Sequence, residues 1–370
     1  MHNLYYDVKI HSRACYNMLF KQCRASPRVK QWLASTYKLL VHEGNYAPRF
    51  LQALPSALAG LMPRVRILHI RNARLRFIRT DFFLALSRFK SVKSLTLFAC
   101  RLNNMTQLRR IVSAFPQLTD LTMQDVEFAQ RGAPSYAGAS LFRAPSHMRL
   151  RYLYVAVDDE CMAMFLDWMT HSGLCNSLAD VTVWFDNSRA SMALTPLNQL
   201  LETAGASLTR FCERLYSNVN HGNLLQNTAL QSLNIELELG SLRLTAQLQV
   251  PRAAWTKATD ELHGTFSTIR SSQLEHIELE VNVEVDYYHS LLKSEEPSVV
   301  LEKLDLHEVM SQPYFDTLQD VKVKMRLVPS FLQTKSDEDS IAQKLQAMFH
   351  SILQPWSDRG IVTVTWQRLP

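Results

Sequence analysis

One short phrase recurs along this chain and restricts its possible folds more than any other feature: an aliphatic residue, two variable residues, an aliphatic, one variable residue and a further aliphatic. It occurs as Val65-Arg-Ile-Leu68-His-Ile70, Val92-Lys-Ser-Leu95-Thr-Leu97, Leu118-Thr-Asp-Leu121-Thr-Met123 and Leu150-Arg-Tyr-Leu153-Tyr-Val155. It returns as Leu178-Ala-Asp-Val181-Thr-Val183, Leu230-Gln-Ser-Leu233-Asn-Ile235, Leu274-Glu-His-Ile277-Glu-Leu279 and Leu318-Gln-Asp-Val321-Lys-Val323, with Leu208-Thr-Arg-Phe211 as a degenerate copy. The last two aliphatics of each phrase are two apart, so they share one face of a strand while the residues between and beside them face the other way.

Successive phrases start 27, 26, 32, 28, 30 and 22 residues apart, and then 44 apart twice. A strand phrase at a period of 20–30 residues belongs to a leucine-rich repeat. The expected fold is therefore α/β: an irregular leucine-rich-repeat-like solenoid, with a curved parallel sheet and helices on its convex face. The helices are read from the stretches between phrases. Thr80 can cap Asp81–Arg88, and Leu108, Ile111 and Val112 lie at helical spacing within 105–115. Residues 163–170 and 194–204 repeat the pattern, and Leu54-Pro-Ser-Ala-Leu58 reads as a helix covering the first repeat. The alternative is an ordinary parallel α/β sheet, which also alternates strands and helices. No asparagine sits reliably at the turn position that normally carries a side-chain ladder in such repeats, Asn72 being one near case, so that ladder is expected to be largely missing.

Composition fits a folded soluble chain, with 47% hydrophobic and 20% charged residues and no apolar run near the ~20 residues of a membrane span. No basic-then-apolar leader is visible at the start, and the six cysteines lack CxxC spacing. A reduced, intracellular location, cytoplasmic or nuclear, is expected. Charge is unevenly spread. Residues 1–110 hold 20 Lys or Arg against Asp7, Glu43 and Asp81, a net +17, while the remainder nets −11. The densest basic run contains Arg64, Arg66, Arg71, Arg74, Arg76 and Arg79. Such a field suits nucleic acid or an acidic protein surface. The run holds Phe77 as its lone aromatic, where a nucleic-acid platform interleaves rings with cations, so a solvated face is the favoured reading.

The whole chain resembles fungal F-box proteins with a leucine-rich-repeat-like C-terminal region. The resemblance is carried by Leu4-Tyr-Tyr-Asp-Val-Lys-Ile10 followed by 12–27 with its Ser26-Pro27 turn, and by Phe115-Pro-Gln-Leu-Thr-Asp-Leu-Thr-Met123. It continues through Gln273–Leu279, Pro313-Tyr-Phe315 with Leu318–Val321, and Arg359-Gly-Ile-Val-Thr-Val364. It implies a protein-interaction module similar to the substrate-recognition part of an F-box ubiquitin-ligase subunit. The F-box itself, a helical unit of about 45 residues, has no room before Leu4, so the chain as given is not expected to dock the ligase adaptor. Residues 1–48 read as the lead-in that caps the solenoid and 49–370 as the solenoid with its C-terminal cap. The alternatives are a nucleic-acid or acidic-protein binder using the basic first third, and a truncated, non-functional product.

No phosphate loop, GxGxxG, GxSxG, HExxH or clustered Cys/His ligand set occurs. No catalytic residue, cofactor or metal is expected. Asp158-Asp159-Glu160 reads as a helix N-terminus, where negative charge is favoured. The expected recognition surface is the outward side of the strands: Phe98, Tyr152, Tyr154, Asp180, Trp184, Glu236, His276 and Glu278. Its mix of rings and polar groups is the kind enriched at binding hot spots.

Overall fold

The computed structural model describes residues 6–44, 50–130, 148–185, 192–215, 221–238, 251–284, 306–328 and 335–368. Contacts divide the chain into two units, Met1–Leu178 and Ala179–Pro370.

In the first unit the main strands are β1 (Asp7–Ile10), β2 (Lys38–His42), β3 (Ile67–Arg71), β4 (Ser94–Phe98), β6 (Asp120–Gln124) and β8 (Tyr152–Val157). They pair in parallel and in chain order. A small second ladder joins β5 (Arg101–Leu102) to β7 (Glu127–Phe128). The register explains the recurrent phrase. Its middle aliphatics form one lateral layer, Leu39–Leu68–Leu95–Leu121–Leu153, and its last aliphatics a second, Val41–Ile70–Leu97–Met123–Val155. The first aliphatics, Val65, Val92, Leu118 and Leu150, are buried in the turns ahead of the strands. Equal spacing within each phrase is what lets unequal segments share one layered core.

The helices α1 (Arg13–Ala25), α2 (Pro27–Leu33), α3 (Leu54–Leu58), α4 (Thr80–Leu86), α5 (Met105–Ser113) and α6 (Asp159–Ser172) connect these strands or follow them. Their apolar stripes close the core, with Phe82, Leu86, Leu108, Ile111, Phe165 and Leu166 all buried. Asn104 caps α5 and Asp158 caps α6, each accepting a backbone N–H in the first turn at 3.1 Å. The expected Thr80 cap is absent. Helix α4 starts at Thr80 itself, behind Arg79, and no side chain caps it.

In place of an asparagine ladder, the turns after β3, β4 and β6 share a left-handed residue: Asn72 (φ 51°), Ala99 (φ 50°) and Asp125 (φ 52°). Each donates its N–H at 2.9 Å to the next strand's end, at the carbonyls of Phe98, Gln124 and Ala156. The thiol of Cys100 points into this turn layer and donates to the Ile70 and Phe98 carbonyls, both at 3.4 Å. Burial pushes its pKa up to about 12.

In the second unit β9 (Asp180–Phe185), β10 (Arg210–Leu215), β11 (Ser232–Glu238), β12 (His276–Glu284), β13 (Asp320–Val328) and β14 (Val362–Arg368) also run parallel in chain order. Within this unit the middle aliphatics of the phrase form a lateral layer of their own, Val181–Phe211–Leu233–Ile277–Val321. Helices α7 (Leu194–Ala204) and α8 (Pro251–Phe266) follow β9 and β11. A C-terminal cluster packs Trp356 against Phe266 and Phe315, each ring centroid 5.2 Å away.

All nine phrases, including the degenerate one, are strands. Strand β2 was not expected, because the buried Thr36 stands where the phrase calls for an aliphatic. Leu4 and Tyr5 of the expected opening strand lie outside the described residues; β1 begins at Asp7.

Candidate interaction surfaces

On the first unit the outward rows follow from the register: Ser94–Asp120–Tyr152, Thr96–Thr122–Tyr154 and Arg71–Phe98–Gln124–Ala156. Tyr152 and Tyr154 are half-buried and alternate with the fully buried Leu153 and Val155. Phe98, two strands away on β4, is half-buried as well, and the Arg71 guanidinium sits 5.4 Å from its ring centroid. The tyrosines and Phe98 thus share a face without sharing a row.

The basic run does not form one patch. Arg64 and Arg66 lie where the chain enters β3, whereas Arg71, Arg74, Arg76 and Arg79 lie at its far end. The five strand steps from Arg66 to Arg71 separate the two groups by roughly 17 Å. At the far end Arg74 bridges laterally to Arg101, which is paired with Glu127 at 2.8 Å. Between the groups His69 is held below the usual imidazole range, first by burial and then by Lys38 and Arg71.

The second unit carries a denser polar face. Its β12 strand, with Glu278, Glu280 and Asn282, lies in register with Lys322, Lys324 and Arg326 of β13. The ion pairs run diagonally: Lys324 Nζ to Glu278 at 2.7 Å and Arg326 to Glu280 at 2.5 Å. Glu280 also accepts from Arg214 at 2.7 Å, and that guanidinium lies 5.3 Å from the Trp184 ring centroid. Two arginines therefore clamp one carboxylate that is only 3% exposed.

Glu236, expected at the surface, is instead 4% exposed and accepts from the Asn282 amide. Strand parity places it outward as expected, but the surrounding Arg214, Glu280, Asn282 and Arg326 make that part of the face a buried polar layer. Burial raises its carboxyl above the usual range, against the Asn282 hydrogen bond. Asp180 is half-buried beside Arg210 at 3.6 Å; burial raises its carboxyl and the arginine opposes the shift.

Toward the start of these strands the face opens. A shallow pocket of about 440 Å³ is lined by Arg210, Ser232, His276, Glu278, Asp320 and Lys322, among others. The His276 side chain is 52% exposed there, 3.8 Å from Glu275 and 4.0 Å from Asp320. Glu278 is partly covered and accepts from Asn234 at 3.1 Å.

One polar cluster faces the core. The degenerate phrase ends in Glu213, which takes the place of the last aliphatic and is 0% exposed. Its carboxylate accepts the Gly222 N–H at 3.0 Å and lies 3.4 Å from His221 Nδ1. The far nitrogen of that imidazole is 3.9 Å from Glu261. Among the described residues no group of three or more His, Cys, Asp or Glu is placed to hold a metal ion, and no helix is long and apolar enough to cross a membrane. The six cysteines form no disulfides.

No protein-family pattern matches the chain, and no curated protein does. Among solved structures it is similar to a chain of the TLR13–ssRNA13 complex, at 12% sequence identity and a TM-score of 0.29, over 81% of this chain and 48% of that one. The chain spans about half the length of that relative. A likeness at that score carries no argument about what this chain binds.

Proposed function

We propose that the chain is a recognition module that binds a protein partner rather than an enzyme. In this reading it is an irregular leucine-rich-repeat-like solenoid, capped by residues 1–48, with a role similar to the substrate-recognition region of an F-box ubiquitin-ligase subunit inside the cell. The observation that carries the reading is the lateral alignment of outward side chains. Parallel strands in chain order turn one residue per repeat into a continuous row, such as Thr96–Thr122–Tyr154 in the first unit and Thr182–Cys212–Asn234–Glu278–Lys322 in the second. With the strand backbones engaged in ladders, these rows are what the face offers a partner. Half-covered rings among short polar groups suit a hot-spot contact.

The test is quantitative capture of a partner from cell extract by the purified chain, followed by affinity measurement with face variants. Tyr152→Ala with Tyr154→Ala, and separately His276→Ala with Glu278→Ala, should each be compared with the parent. Loss of about tenfold or more in at least one pair is the expected result. A partner held equally well by both would sink the reading.

A further inference from the structure

The residue just before each strand of the first unit forms a row of its own. Tyr6, Tyr37, Arg66, Lys93, Thr119 and Arg151 precede β1, β2, β3, β4, β6 and β8 in turn. A continuous backbone relay joins them. The Tyr6 carbonyl accepts from Tyr37 N–H at 3.0 Å, Tyr37 from Arg66 at 2.8 Å, and Arg66 from Lys93 at 2.8 Å. Lys93 accepts from Thr119 at 2.8 Å, and Thr119 from Arg151 at 2.7 Å. At ~4.8 Å per strand, five steps make an edge of roughly 24 Å.

The side chains on this edge are of two kinds. At one end Tyr6 and Tyr37 stack, with centroids 5.0 Å apart and planes within 7°. The Arg66 guanidinium lies 5.9 Å from the Tyr37 centroid, and strand order puts it on the flank opposite Tyr6. The outermost ring, Tyr6, is 50% exposed. Further along, the turns into β3, β4 and β8 each carry two exposed cations: Arg64 and Arg66, Lys90 and Lys93, Arg149 and Arg151. Among the described residues none of the six meets a carboxylate in an ion pair. Asp7 and Asp120 stand one position further on, engaged by Lys9 at 3.8 Å and by the Thr119 hydroxyl at 2.9 Å. In the second unit the same position is held by Ala179, Thr209, Gln231, Glu275 and Gln319, with no cation.

We propose that this edge of the first unit binds single-stranded nucleic acid, with a base stacked on Tyr6 and phosphates following Arg66, Lys93 and Arg151. An exposed ring stack that leads into a row of unpaired cations offers the chemistry that single strands recognise. Duplex bases are already stacked and have no use for a ring platform, and an acidic protein surface would need the cations but not the stack. The proposal rests on none of the residues assigned to protein recognition.

A fluorescent single strand of about ten nucleotides provides the test. With three phosphates engaged, its affinity should fall roughly 20-fold between 50 and 200 mM salt. Combined Arg66→Ala, Lys93→Ala and Arg151→Ala should flatten that slope. Tyr6→Ala should weaken binding about fivefold or more, while Tyr6→Phe, which keeps the ring, should stay within about twofold of the parent. All four side chains are exposed, so melting curves should match the parent. Absence of binding, insensitivity to Tyr6→Ala, or equal competition by duplex or by polyglutamate would each overturn the proposal; the last would point to an acidic protein instead.

Discussion

At the scale of single residues, the second unit places ionisable groups where aliphatic or solvated ones were expected, and Glu236 has a measurable consequence. Its carboxyl is raised by burial first and by Glu280 as well, while Asn282, Arg214 and Arg326 oppose the shift. A carboxyl whose folded pKa lies above its unfolded value of about 4.3 contributes stability that is fully present below that value. The contribution is lost as pH rises through the raised folded pKa. Glu236→Gln keeps an acceptor for the Asn282 amide and removes the titration. The variant should therefore gain on the parent as pH rises from about 4 toward 7. Urea midpoints of both proteins across that range provide the check; a flat or opposite difference would contradict the assignment.

At the scale of elements, helix α5 depends on one side chain more than on its cap. Gln107 Nε2 donates to the Leu75 carbonyl at 2.6 Å, and its Oε1 accepts the Asn103 N–H at 2.6 Å. It thereby ties α5 to the turn after β3 and to the loop ahead of itself. Asn104→Ala removes the N-cap and should cost about 1 kcal/mol. Gln107→Leu matches the shape but leaves two backbone groups without partners in a site that is almost closed, and should cost about 2–4 kcal/mol. Denaturant unfolding of the two variants ranks them; a costlier Asn104→Ala would show that solvent reaches the Gln107 site. The same scale explains the left-handed turns. Three successive turns need φ near +50° to send an N–H sideways, and Asn72, Ala99 and Asp125 adopt it although none is glycine.

At the scale of the whole molecule, strands in chain order make contacts between sequence neighbours, so damage should spread only to neighbours. Trp356 is the cleanest probe within the second unit. It is fully buried against Phe266 and Phe315, and its Nε1–H donates to the Met310 carbonyl at 3.1 Å. Trp356→Ala should cost about 3–5 kcal/mol locally. Amide exchange should accelerate in 306–310, β13 and β14, while β9 and β10 keep their protection; a uniform loss across the unit would refute neighbour-only coupling.

The phrase of three aliphatics was enough to locate nine strands and the inward side of each, because strand periodicity is a local property that every copy states for itself. It failed at β2, where Thr36 fills the first aliphatic position without disturbing Leu39 and Val41 behind it. Lateral neighbours are a different matter. Arg64 and Arg79 are close in sequence but lie at opposite ends of β3, while Tyr6, Arg66 and Arg151 are far apart in sequence and share one edge. The burial of Glu236 depended on Arg214, Glu280 and Arg326 arriving from three other strands. Sequence by itself determined which side chains point into the core, because one segment's pattern suffices for that. Tertiary structure alone decided which outward side chains stand together and which of them remain in water, because both depend on the register between segments that the chain keeps apart.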